Sequence, residues 1–140
     1  MTLDTFKLIH SELIKQVQLI ENDLRLIYAA MKPGDFDDNF DTLERANLGR
    51  ISMELKQLDY SDGYPDLAPE DYETIDSIRL IRNYWCHQCY LDFVYLSDEG
   101  IREEKFGEIS ERLVADEKRV WSLHKKLEKI RNIKLVEYRA

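Results

Sequence analysis

Arg82, Asn83 and His87 are the residues of this chain whose types and spacing could do chemistry. Asn83 and His87 lie four apart, so on a helix they share a face and an Asn amide can orient the imidazole. A guanidinium holds a phosphate through two parallel hydrogen bonds and offsets charge that builds there in a transition state. An imidazole exchanges protons near neutral pH, taking one from a ribose 2′-hydroxyl or giving one to a leaving oxygen. Together these types suit phosphodiester cleavage with no metal or other cofactor. Arg82 is rotated by about 100° from Asn83 on a straight helix. That direction falls among Ile75, Ile78, Cys86, Cys89 and Phe93, inside an apolar stripe. A guanidinium does not neutralise itself by losing a proton, so burying it unpaired is costly. The expectation is that the helix breaks near Arg82 or that an acid or anion meets the side chain. His10 and His124 lie on charged helical faces and are assigned no role.

Four periodic segments must position these residues. Phe6, Ile9, Leu13, Val17, Ile20, Leu24, Ile27 and Met31 recur at three- and four-residue steps, one face of a long helix that Pro33-Gly34 ends. Acids at Asp35, Asp37, Asp38 and Asp41 lead into a second helix with the stripe Phe40, Leu43, Ile51, Leu55 and Leu58. Tyr60 to Ala68 is the clearest loop, and Pro69 is well placed as the first residue of a third helix running to about Leu96. Ser97 to Gly100 closes it, and a long last helix carries Phe106, Ile109, Leu113, Val120, Leu123, Leu127 and Ile130. No segment alternates as a strand would. The 140 residues therefore predict a single all-α domain, an antiparallel four-helix bundle with long first and last helices.

The third helix departs from the simple pattern. Tyr84 to Leu96 is apolar almost all round, whereas a bundle helix ordinarily keeps one face in water. Leu80, Tyr84, Leu91, Val94 and Tyr95 make a second apolar face. That face predicts a partner chain, most simply a second copy, making a homodimer through this helix.

Charge is uneven. The net charge is −8, which speaks against a broad nucleic-acid surface. Asp59 to Asp76 holds seven acids and no Lys or Arg, and self-repulsion there predicts partial disorder. Glu117 to Ala140 holds eight bases and three acids. Such a segment either contacts phosphates or is an ordinary solvated face with bases toward a helix C-terminus. Cys86 and Cys89 form a CxxC pair, but only His87 lies near them and a zinc site takes four ligands. Two buried apolar thiols in a cytosolic protein are the expectation. No Gly-rich phosphate loop, Glu-x-x-His pair, membrane span or secretory signal is present, which predicts a cytoplasmic protein away from membranes.

Arg82-Asn83-Tyr84-Trp85-Cys86-His87 resembles the Arg, polar residue, three-residue gap, His motif of HEPN-domain proteins, in which the polar residue is often Asn. The setting is similar too: a small all-α bundle with the motif in its third main helix and one long helix after it. The resemblance implies a metal-independent ribonuclease with RNA as substrate, whose two motifs face each other across a homodimer cleft. It implies His87 as general base or acid, Arg82 on the scissile phosphate, and Asn83 positioning His87 or RNA. It implies service in a prokaryotic toxin–antitoxin or antiviral defence system, with an antitoxin such as a small nucleotidyltransferase as partner. The closest toxins carry a Tyr two residues after the His; here Cys89 stands there and Tyr90 comes one later. The alternatives are a non-catalytic bundle that binds RNA, nucleotide or a partner protein, and a purely structural module with His87 satisfied in the core.

Overall fold

A computed structural model describes residues 1–139. The chain is an all-helical bundle of five helices: α1 (Leu3–Met31), α2 (Phe36–Leu43), α3 (Leu48–Tyr60), α4 (Pro69–His87) and α5 (Glu99–Arg139). As expected, the first and last are long. Among the described residues no helix is long and apolar enough to cross a membrane.

Side-chain caps fix most of the helix starts. Thr2 Oγ1 accepts from the Thr5 amide at 3.1 Å, and Asp35 Oδ2 accepts from Asp38 at 3.1 Å. Asn47 Oδ1 accepts from Arg50 at 2.8 Å, and Asp98 Oδ1 accepts from Ile101 at 2.9 Å. Each satisfies an amide that a helix leaves without an internal partner. Gly34 takes φ 111°, so the reversal after α1 suits glycine.

The expected second helix is two helices. Its stripe is continuous in sequence, but the backbone stops after Leu43 and restarts at Leu48, with Asn47 as the new cap. Arg25 of α1 stabilises the break: its Nε donates to the Leu43 carbonyl at 3.0 Å and its Nη2 to the Ala46 carbonyl at 3.3 Å. The extra reversal changes the direction of every later element. Phe6 packs on Phe106, Gln16 bonds Glu117 and Asp23 bonds Arg131, so α1 and α5 run parallel rather than antiparallel. This is the most extensive helix pair in the molecule. Helix α4 runs antiparallel to both, with Trp85 on Asp116 at one end and Asp71 on Lys126 at the other.

The core lies between α1, α4 and α5, with α3 closing one side. Phe6, Leu13, Ile20, Leu24, Ile75, Ile78, Leu113 and Val120 are fully buried. An aromatic group of Phe6, Trp85, Tyr90, Phe93 and Phe106 fills the end near the start of α1, with ring centroids 5.2 to 6.3 Å apart.

The acidic stretch from Asp59 to Asp76, for which partial disorder is the expectation, takes a defined conformation between the end of α3 and the start of α4. Its counter-charges come from α5: Lys126 pairs with Asp71, and Lys134 Nζ lies 2.9 Å from Asp66. Asp59, 2 % exposed, accepts from the amides of Asp66 (2.8 Å) and Leu67 (3.1 Å) and from the Tyr72 hydroxyl (2.7 Å). Burial and this bond to a carboxylate push the Tyr72 phenol well above its ordinary range. Asp59→Ala strands three donors, two of them in the loop backbone. It is expected to cost about 2–4 kcal/mol in urea unfolding and to open the loop to proteolysis. A cost below about 1 kcal/mol would show that water replaces the carboxylate freely.

Candidate functional site

The three motif residues sit on the last turns of α4, but they do not converge within one chain. Asn83 and His87 are exposed and share a face, as their spacing requires. Neither side chain makes a hydrogen bond among the described residues, so the Asn amide does not orient the imidazole here. His87 is the last residue of the helix. Arg82 points away from it, by about 140° at the helical repeat.

Arg82 has found an acid. Its Nη1 pairs with Glu21 Oε1 of α1, with side chains 34 % and 18 % exposed. The helix runs unbroken through Arg82, so the expectation of a partnering acid holds and that of a break at this point does not. Nor is Arg82 in the middle of the stripe. The buried line passes through Ile78, Ile81, Trp85 and Cys89, leaving Arg82 at its edge. Cys86 is exposed, which corrects the expectation of two buried thiols, whereas Cys89 is buried and its thiol pushed up by that burial.

The larger correction concerns where α4 ends. The apolar stretch from Tyr84 to Leu96 is not one helix; it turns after His87. The amides of Gln88 and Cys89 both bond the Tyr84 carbonyl, at 2.9 and 3.0 Å. That releases the Trp85 carbonyl, which lies 2.6 Å from His10 Nε2. His10, given no role from its position, thus terminates α4 from across the α1 interface. Its Phe6 and Tyr90 neighbours, at 6.2 and 5.8 Å between centroids, hold the ring in place.

A polar network then pins the turn. Tyr84 Oη donates to Asp92 Oδ2 at 2.9 Å, and Gln88 Nε2 donates to Asp92 Oδ1 at 2.9 Å. These two bonds hold the Asp92 carboxyl below its ordinary range. The Arg112 guanidinium stacks 3.7 Å over the Tyr84 ring, and Trp85 Nε1 donates to Asp116 at 2.8 Å. His87 therefore projects from a fixed helix end rather than a loose tip.

One residue escaped the sequence reading. Arg79 lies one helical turn before Asn83, so Arg79, Asn83 and His87 follow each other on one face at steps of four. It is exposed and makes no hydrogen bond or ion pair among the described residues. The i, i+4 spacing was the available signal. Leu80, 65 % exposed, shares this face, and Leu91, Val94 and Tyr95 beyond the turn are 52 %, 50 % and 80 % exposed. Four of the five residues of the second apolar face expected from the sequence are thus bare in the single chain, whereas Tyr84 is partly buried beneath Arg112.

Histidine 124 also acquires surroundings that its position did not suggest. It is 8 % exposed, 3.9 Å from Asp23 and 3.7 Å from Glu128. Asp23 is raised above its ordinary range by burial, which the Arg131 bond at 2.8 Å only partly offsets. No family model, curated protein or solved structure matches the chain.

Burial, then the bond to Asp92, raises the Tyr84 phenol to about 12. A raised phenol contributes stability in full below the ordinary 10.0 and loses it as pH climbs toward 12. Asp92→Asn is expected to lower the Tyr84 titration while leaving it above 10.0, because burial remains. NMR of ring-labelled tyrosine, assigned with Tyr84→Phe, reads this directly. An unmoved titration would mean that Asp92 does not anchor the turn.

Proposed function

We propose that this protein is a metal-independent endoribonuclease of HEPN type, acting as a homodimer whose two α4 ends form a composite cleft. The observation that carries the proposal is the uncovered face of α4. Arg79, Asn83 and His87 are all exposed on it, and the bare Leu80 beside them offers apolar surface to a second copy. A catalytic histidine inside one chain ordinarily has an orienting partner. His87 has none, and a composite site supplies it from the other protomer. His87 acts as general base or acid and Asn83 positions it or the RNA. Arg82 and Arg79 hold phosphate.

The pairing of Arg82 with Glu21 does not block this role. Both side chains keep some contact with water, 34 % and 18 % exposed, so an incoming phosphate can compete with Glu21 for the guanidinium. Service in a cytoplasmic toxin–antitoxin or antiviral system, with a small nucleotidyltransferase as antitoxin, follows from the resemblance of the motif alone.

The same Arg82–Glu21 pair favours a second reading. If its purpose is to join α4 to α1, the bundle binds RNA, nucleotide or a protein without cleaving it.

Purified protein is expected to cut single-stranded RNA in EDTA. His87→Ala should lower the rate at least about 100-fold, in line with the loss of a general acid or base, with the dimer intact. Arg79→Ala should weaken RNA binding without altering the fold. Cleavage that survives His87→Ala, once contaminating nuclease is excluded, rules the assignment out. Binding with no cleavage by the unaltered protein selects the second reading.

A further inference from the structure

Helix α5 carries its own unpartnered face, separate from that of α4. Its charge is divided along its length. Glu99–Glu117 holds seven acids and three bases, and residues 118–139 hold eight bases and two acids. A helix charged this way is complementary to a copy of itself laid antiparallel.

The residues along one line of α5 repeat that symmetry about Val114. Seven residues before it stands Gly107, where a Cβ would meet nothing within 4 Å. Seven residues after it stands Trp121, 48 % exposed with Lys125 Nζ 5.8 Å from its ring. Eleven residues before it is Glu103 and eleven after it is Lys125; four before it is Ser110 and four after it is Lys118. All project within about 40° of Val114 at the helical repeat.

The notch at Gly107 is part of a groove of about 730 Å³, bounded by Glu103, Phe106, Ser110, Glu111 and Val114 of α5 and by Met1. Inside it Ser110 is 5 % exposed, and its Oγ has no hydrogen-bond partner among the described residues.

We infer that two copies of this chain pair through α5, antiparallel, with the two-fold axis at Val114. In that register Trp121 of each copy fills the other's notch at Gly107. Lys118 comes opposite the groove wall at Ser110, and Lys125 comes opposite Glu103. A shift of one turn either way places Trp121 against Glu103 or Glu111 and loses this match. Such a contact is isologous and closes on itself. The α5 side chains that bond or stack on α4, Arg112, Asp116 and Lys126, lie about 120–160° from Val114, so this surface leaves the α4 face free. The inference does not rest on the ribonuclease proposal.

The test is a disulfide across the axis. In a Cys86→Ser background, Val114→Cys is expected to form a linked dimer under mild oxidation. Either Trp121→Ala or Lys125→Glu should slow that link at least about tenfold, with circular dichroism unchanged. Glu103→Lys combined with Lys125→Glu should restore it, and high salt should weaken it. Failure of the link, or a link indifferent to Trp121→Ala and Lys125→Glu, overturns the inference. A protein that is dimeric by light scattering yet gives no link at residue 114 pairs through another face. That result also overturns the inference while leaving the ribonuclease proposal standing.

Discussion

The parallel contact between α1 and α5 is the constraint on which the rest of this bundle depends. Two long helices bury their apolar faces against each other over most of the length of α1, from Phe6 on Phe106 to Asp23 on Arg131. Running them in the same direction requires that the chain between them reverse an even number of times in net direction. Three helices lie between them, of which α2 is very short. The break at residues 44–47 is therefore a topological necessity, and Arg25 makes it affordable by taking carbonyls that the broken helix would leave bare. With α2 and α3 fused, α5 would arrive pointing the wrong way.

The same contact organises charge. An acidic loop and a basic terminal helix look, as separate stretches, like a disordered segment and a nucleic-acid surface. Packed together, they satisfy each other. Lys126 and Lys134 reach the loop acids, while Arg131 is drawn inward to Asp23. Three of the eight bases from Lys118 to Arg139 are thus engaged with acids outside their own helix, leaving less positive surface than the sequence count implies.

Much of the fold was legible because its signals are local and strong. The stripes of α1 and α5, the stop at Pro33-Gly34 and the start at Pro69 all follow from residue types at fixed spacings. Two boundaries were not legible, for one physical reason. The ends of α2 and α4 are set by side chains from elsewhere in the chain, Arg25 in one case and His10 in the other. Neither end carries the Gly or Pro that would announce it. The order of the acidic loop was hidden in the same way, since its counter-charges lie more than fifty residues away. Within the candidate site, the shared face of Asn83 and His87 follows from arithmetic and is seen. Arg82 required a partner, and one is present, but its identity as Glu21 depends on which α1 face meets α4. Arg79 follows from the same arithmetic, standing four residues before Asn83, but lies outside the Arg82-to-His87 motif.

Under the proposed reading, this charge arrangement limits how the protein can engage RNA. Binding driven by phosphate neutralisation needs many free bases, and its affinity falls steeply with salt in proportion to their number. Here the net charge is −8, and the end of α4 carries two arginines per protomer, Arg79 on the open face and Arg82 already paired with Glu21 of α1. Affinity from this source is small even when a two-fold axis doubles it. Selection of a substrate must then come from the shape of the cleft and from bases stacking in it. Tyr84, within the motif and stacked by Arg112, and the exposed Tyr95 beyond the turn are aromatic surfaces on which a base could stack. On that reading, a site so poor in charge would act on RNA that already presents an unpaired, deformable segment, because it would have little electrostatic energy with which to open a duplex.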